Sequence, residues 1–324
     1  MIKKFLGLGF LAAFSAGALA SLVALGNRRV DEWETLTTDD AVGGDFVTLS
    51  DGTRAHYIAR GDATEREPIL LIHGLMDSAM HWHKNIDALA QDRRVYAIDQ
   101  MGFGYSSRVA APVYSLNYLA RAARAFMDEL GIARAHIIGH SLGGAVTLQL
   151  AHDYPERVGK LIVISPGTYL TNRLAPINLA ARVPYAPRAL MGFAMTSQQA
   201  RMRAWQHALG DPARLDPNEL TIRVRPMRVQ GTANALVAMA NSSWANDLQH
   251  QLDQITAPTL ILWGNKDHTV PVWHAEWHAR ALPNAQVVYL PGMGHIPQNE
   301  CPDQVNRLMI DFLNVRRTSE VRRT

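Results

Sequence analysis

Three side chains in this 324-residue chain have the chemistry to break an acyl bond together: Ser141, Asp267 and His295. A serine hydroxyl is a poor nucleophile until a base takes its proton, and a third group must hold that base in one tautomer. Ser141 stands in Gly139-His140-Ser141-Leu142-Gly143, between a short apolar run and an Ala/Leu-rich stretch. This Gly-x-Ser-x-Gly order predicts a buried strand turning sharply into a helix, with the hydroxyl raised above the sheet edge. A side chain at Gly139 or Gly143 would collide with neighbouring backbone in such a turn. The Leu142 N–H, at the start of the helix, would point where an oxyanion develops. Asp267 follows the apolar run Leu260–Trp263, and His295 follows Val287–Leu290 in a glycine-rich loop. Asp267 would accept from one ring nitrogen of His295 and leave the other for Ser141. The order serine, acid, histidine is the one such a turn uses.

These residues need a sheet to carry them. Phe46-Val-Thr-Leu and His56-Tyr-Ile-Ala alternate around Asp51-Gly52, which predicts a hairpin. Apolar runs at Ile69–Ile72, Val95–Ile98, Ile137–Ile138, Leu161–Ile164, Leu260–Trp263 and Val287–Leu290 read as strands, the first of the sort buried on both faces. Helical periodicity separates them, at Met80–Gln91, Leu116–Leu130, after Ser141, around Trp273–Leu282 and from Pro302 to Leu313. That alternation means a mostly parallel sheet with helices on both faces. From 171 to 249 the rhythm breaks into helical patches. They are expected to form a cap over the C-terminal edge of the sheet, where α/β folds keep their sites.

The chain resembles the α/β-hydrolase family from Phe46 to Leu313 outside the cap. The matching pieces are His73-Gly74, Asp99-Gln-Met-Gly102-Phe-Gly104-Tyr-Ser106, the serine turn, Gly264-Asn-Lys-Asp267 and Gly294-His295. The resemblance implies a second oxyanion donor, the N–H of Leu75, beside that of Leu142. It also implies structural roles for His73, Gly74 and the Asp99 turn. His140 reads as a filler of the serine motif. His81 and His83 flank Trp82, but no third ligand stands at a metal-binding spacing. No phosphate loop or dinucleotide fingerprint appears, so no cofactor and no metal are implied.

With 48% hydrophobic and 19% charged residues the chain has ample material for a core. The single Cys301 excludes an intramolecular disulfide framework, and a net charge of +3 makes no case for nucleic acid. Residues 1–30 carry Lys3 and Lys4, then 22 uncharged residues from Phe5 to Gly26, then Arg28-Arg29. A signal peptide would be cleaved after Ala18-Leu19-Ala20. Because Leu22, Val23 and Leu25 extend the apolar run past that point, a membrane anchor is the preferred reading, and a helix packed on the domain is the third. Either of the first two makes the protein membrane-anchored or exported. The expected organisation is thus 1–30 signal or anchor, 44–170 and 250–315 hydrolase core, 171–249 cap, and 316–324 a polar, basic, unstructured tail.

Nine arginines and no lysines lie between Thr171 and Gln230, against Asp211, Asp216 and Glu219, beside Met191, Phe193, Met195, Met202, Trp205 and Met227. This suggests a cap that approaches an anionic membrane and receives an acyl chain on its apolar side. The expected activity is hydrolysis of a small-molecule carboxylic ester, apolar or lipid-like, through an acyl-enzyme. Relatives with an aspartate nucleophile are set aside by Ser141. A carbon–carbon hydrolase of ring-cleavage dienones is the enzymatic alternative. Such relatives carry an aromatic residue after the catalytic histidine, where this chain has Ile296-Pro297. A silent ligand-binding protein on the same scaffold is the alternative of another class. Acyl length, alcohol and oligomeric state are not legible.

Overall fold

A computed structural model describes residues 2–109, 114–168, 183–242 and 247–315. Eight strands form one sheet in the order β1-β2-β4-β3-β5-β6-β7-β8. They are β1 Asp45–Thr48, β2 Arg54–Arg60, β3 Ile69–Ile72, β4 Val95–Ile98, β5 Ala135–His140, β6 Val158–Ile164, β7 Thr259–Gly264 and β8 Ala285–Leu290. Only β2 runs against its neighbours, β1 and β4; the other pairings are parallel. The register sets Ile72 beside Gly139 and Gly139 beside Val163, so the serine turn leaves the sheet at its centre.

The central strands β3, β5 and β7 are buried throughout, whereas β8, at the sheet edge, leaves Tyr289 exposed. Helices Leu116–Glu129 and Leu142–Asp153 pack on one side, where Phe126, Met127 and Val146 are fully buried. Trp82, Val305 and Met309 cover the other. The stretch read as a helix from Met80 to Gln91 is instead a short 3-10 turn, Ala79–Trp82, and one helical turn, Ile86–Leu89. His83 and Asn85 bond back to this turn, and the Asn85 amide also reaches Gln298 and Asn306 across the domain. Tertiary bonds thereby break the local period.

Between β6 and β7 the described residues form helices Ala186–Thr196, Gln198–Ala208, Pro217–Val224 and Thr232–Asn241. The first part of the expected cap, 171–182, and the tail 316–324 lie outside the described residues.

The N-terminal segment also meets the cap. Ile2–Trp33 is a single helix, and among the described residues no helix is long and apolar enough to cross a membrane. Its C-terminal half packs on the cap helix Ala186–Thr196. Gly26 and Gly192 sit so close that a Cβ on either would overlap the other helix. Asn27 and Asp31 bond Arg188 at 3.1 and 2.6 Å, and Val30 is buried. The Glu34 carboxylate accepts from the N–H groups of Gly231 and Ala233, satisfying free donors at the start of helix Thr232–Asn241. Residues 26–34 thus pack on the cap, as the third of the three sequence readings would have it. Glycine spacing and these polar contacts carry it, and neither is visible to a count of apolar residues.

Several cap arginines face the protein itself. Arg201 and Arg228 lie over the Trp33 ring, Arg225 bonds the Asp40 carbonyl, and Arg223 is buried. These four hold the protein's own groups.

Candidate active site

Ser141 has φ 52° and ψ −115°, a conformation costly for a residue with a side chain. Close packing enforces it. A Cβ on Gly139 would overlap the Gly143 carbonyl, and one on Gly143 would overlap the carbonyls of Ile72 and His73. The Ser141 N–H bonds the Ile164 carbonyl at 2.9 Å, fixing the turn to β6. Leu142 opens the helix, so its N–H belongs to the first turn, where donors lack helical partners.

Asp267 and His295 meet at the ends of β7 and β8. The His295 Nδ1 lies 2.8 Å from Asp267 Oδ2, while Oδ1 accepts from the N–H groups of Thr269 and Val270, each at 2.8 Å. Burial alone would raise the Asp267 pKa, but the His295 ring and these donors outweigh it and lower the value. The acid therefore stays ionised and holds the proton on Nδ1.

Ser141, His295, Gly74, Leu75 and Leu142 line one cavity of about 370 Å³. Asp267 stands behind His295. His73 braces the loop that carries Leu75: its Nδ1 donates to the Gly74 carbonyl at 2.7 Å, and its Nε2 accepts from the Gln100 N–H at 3.0 Å. Asp99 accepts from the N–H groups of Ala79 and Tyr105, and so joins this loop to its own turn.

Several contributors had no signal in the sequence. Arg223 of helix Pro217–Val224 donates to Asp77 Oδ2 at 2.6 Å, two residues beyond Leu75, and also to Asn299. His81 Nδ1 donates to the same Asp77 oxygen at 2.7 Å, leaving Nε2 to accept from the Gln298 amide. Burial pushes the His81 pKa down to about 4, so the ring is neutral. It stacks on His140 at 4.7 Å, whose Nε2 donates to the His295 carbonyl at 2.8 Å. His140, read as filler, thus supports the backbone of His295. The His295 N–H also bonds Ala208 of the cap at 2.7 Å. Only the folded chain brings these residues together.

The family model described as alpha/beta hydrolase fold matches residues 67–301. The chain belongs to this family. It is 34% identical over 250 residues to the dihydrolipoyllysine-residue acetyltransferase component of the acetoin cleaving system of Pseudomonas putida, covering 76% of this chain and 63% of that one. It is 30% identical to a 2-hydroxy-6-oxo-6-phenylhexa-2,4-dienoate hydrolase of Burkholderia cepacia, covering 83% of this chain and 95% of the relative. Among solved structures, a bacterial membrane phospholipase A matches with a TM-score of 0.64 at 23% identity. That likeness is one of fold, and it covers 97% of this chain and 98% of the other, so it takes in the N-terminal helix.

Proposed function

We propose that this α/β hydrolase cleaves a neutral carboxylic ester with an apolar acyl part. The observation that carries the reading is the charge state of the cavity. Leu75, Met76, Leu142, Trp205, Met227 and Ile296 give it apolar walls, and its buried carboxylate, Asp77, is already neutralised by Arg223. Burial would raise the Asp77 pKa, but Arg223 and His81 drive it far below the carboxylate range. Arg223 and Asp77 thus satisfy each other and leave no charge to receive an anionic substrate. A neutral ester needs none.

In the proposed cycle His295 takes the Ser141 proton as the oxygen attacks the carbonyl. The N–H groups of Leu75 and Leu142 hold the oxyanion. The carbon–oxygen bond to the alcohol breaks, and His295 returns the proton to that oxygen. Water, deprotonated by the same ring, then releases the acid and restores Ser141.

The second reading, carbon–carbon hydrolysis of a dienoate, is favoured by the names of relatives at 29–30% identity over 83–86% of the chain. These relatives support that alternative more directly than they support an ester. A dienoate carries a carboxylate, and the cation left to receive it among the described lining residues is Arg201. Its guanidinium is bonded to the Met195 carbonyl and lies over Trp33.

The test is hydrolysis of p-nitrophenyl esters from acetate to palmitate by the full-length protein, with a ring-cleavage dienoate in parallel. Ester turnover with an optimum at medium chain length is expected. Dienoate cleavage without ester cleavage would reverse the reading, and Arg201→Met should then abolish it. A folded protein that fails to react with a fluorophosphonate at Ser141 would instead leave a silent scaffold.

A further inference from the structure

Four residues other than glycine have a left-handed backbone among the described residues: Met76, Ser141, Ser165 and Tyr185. Two of them, Met76 and Ser141, line the same cavity. Ser141 owes its geometry to the nucleophile turn. Met76, at φ 58°, has no part in that turn. With Leu75 it forms the corner of a separate turn between Gly74 and Asp77, and Leu75 keeps a negative φ. A positive φ at the second corner position alone is the type II pattern, in which glycine is the favoured residue. A methionine there carries strain that a glycine would not. The turn is held from both ends. His73 donates to the Gly74 carbonyl, and because the peptide is trans the Leu75 N–H points away from that imidazole. Asp77 accepts from Arg223, His81 and the Ser78 N–H. Fixed ends keep the strained middle from relaxing.

We infer that the Met76 side chain is a specificity-determining contact for the acyl chain, and that this contact accounts for a methionine where the turn favours glycine. The inference rests on the ester reading above and deepens it. Glycine would build the same turn without strain, so what methionine adds is its side chain. That side chain is half-buried, packs at the edge of the core and lines the Ser141 cavity. The Met76 Cα lies about 3.8 Å from that of Leu75, whose N–H holds the oxyanion in the proposed cycle. The thioether therefore stands within reach of the carbons joined to the carbonyl. The leaving oxygen must face His295, beside Ile296, so the wall at Met76 falls to the acyl chain. Methionine is unbranched and polarizable, and it follows chains of different shape. Such a contact rewards apolar length and imposes no fixed outline.

The experiment compares the full-length protein with Met76→Ala and Met76→Gly on p-nitrophenyl octanoate and acetate, which share one alcohol. The wild type is expected to favour octanoate. Both variants should lower kcat/KM for octanoate about 10-fold more than for acetate, through KM, the effect of losing contact with about two methylene groups. The pair also separates side chain from backbone. In urea unfolding Met76→Gly should be more stable than Met76→Ala, with a folding constant larger by about 3-fold or more, the reverse of the order at an ordinary position. An octanoate-to-acetate ratio that keeps its wild-type value in both variants, whether or not both activities fall, would overturn the contact and leave the ester reading standing. Met76→Ala more stable than Met76→Gly would overturn the strain. Cleavage of neither ester by the wild type would remove the ester reading, and the inference with it.

Discussion

Alanine at Ser141 is expected to lower kcat for ester hydrolysis by about 10⁶-fold, and asparagine at Asp267 by about 10⁴-fold. The first removes the nucleophile. The second keeps nearly every atom, and its effect follows from the hydrogen bonds around the carboxylate. Oδ1 of Asp267 accepts from two backbone N–H groups, Thr269 and Val270. In Asp267→Asn the amide oxygen must stay there, because an NH₂ group facing two N–H donors would be repelled. The amide NH₂ is then turned toward His295 Nδ1, which must become an acceptor. The ring proton moves to Nε2, and the nitrogen facing Ser141 can no longer take a proton. Turnover of p-nitrophenyl octanoate by each variant measures this, with the double variant as a check on coupling. The double variant should be no slower than Ser141→Ala alone, since the acid acts only through the serine. An Asp267→Asn enzyme within about 10-fold of the wild type would mean that another group orients His295.

The sequence made the sheet and the converging loops readable for a definite reason. Strands buried on both faces are continuous apolar runs, and the glycines flanking Ser141 are required by backbone contacts that any such turn must make. Asp267 and His295 were readable because each follows a strand at the sheet's C-terminal edge. The clamp behind them was not. Asp77 reads as one polar residue in a loop, Arg223 as one of nine cap arginines, and they are 146 positions apart. Nothing in a local pattern pairs them. The packing of the N-terminal helix on the cap was hidden for a related reason. Its apolar residues resemble those of a membrane span, whereas the features that seat it on the cap are Gly26, Asn27, Asp31 and Glu34. Each acts through a partner more than 150 residues away.

Methionine at Arg223 is expected to destabilise the fold by about 3–5 kcal/mol, the cost of leaving a buried charge without its partner. One guanidinium here touches the three pieces that must converge on the cavity: the oxyanion loop at Asp77, the segment after His295 at Asn299, and the cap ring Trp205. Removing it leaves the buried Asp77 carboxylate with the neutral His81 ring as its remaining side-chain partner among the described residues. Urea unfolding monitored by circular dichroism gives the magnitude. The double variant Arg223→Met/Asp77→Asn removes both charges and should recover much of the loss, because a neutral pair has little desolvation cost. The same pair predicts the acid limb of the stability curve. The folded Asp77 pKa lies below its ordinary value of 3.8, so the pair's contribution is complete above that pH. It is lost as pH falls below 3.8 toward the folded value. In the double variant the acid limb should be shallower than in the wild type, though still sloped, because Asp99 and Asp267 also have lowered pKa values. A single Arg223→Met variant as stable as the wild type, with an unchanged acid limb, would show that the clamp only fills space. The cap would then be held by its other contacts, among them Ala208 and Gly210 on the His295 loop and Glu219 on Lys84.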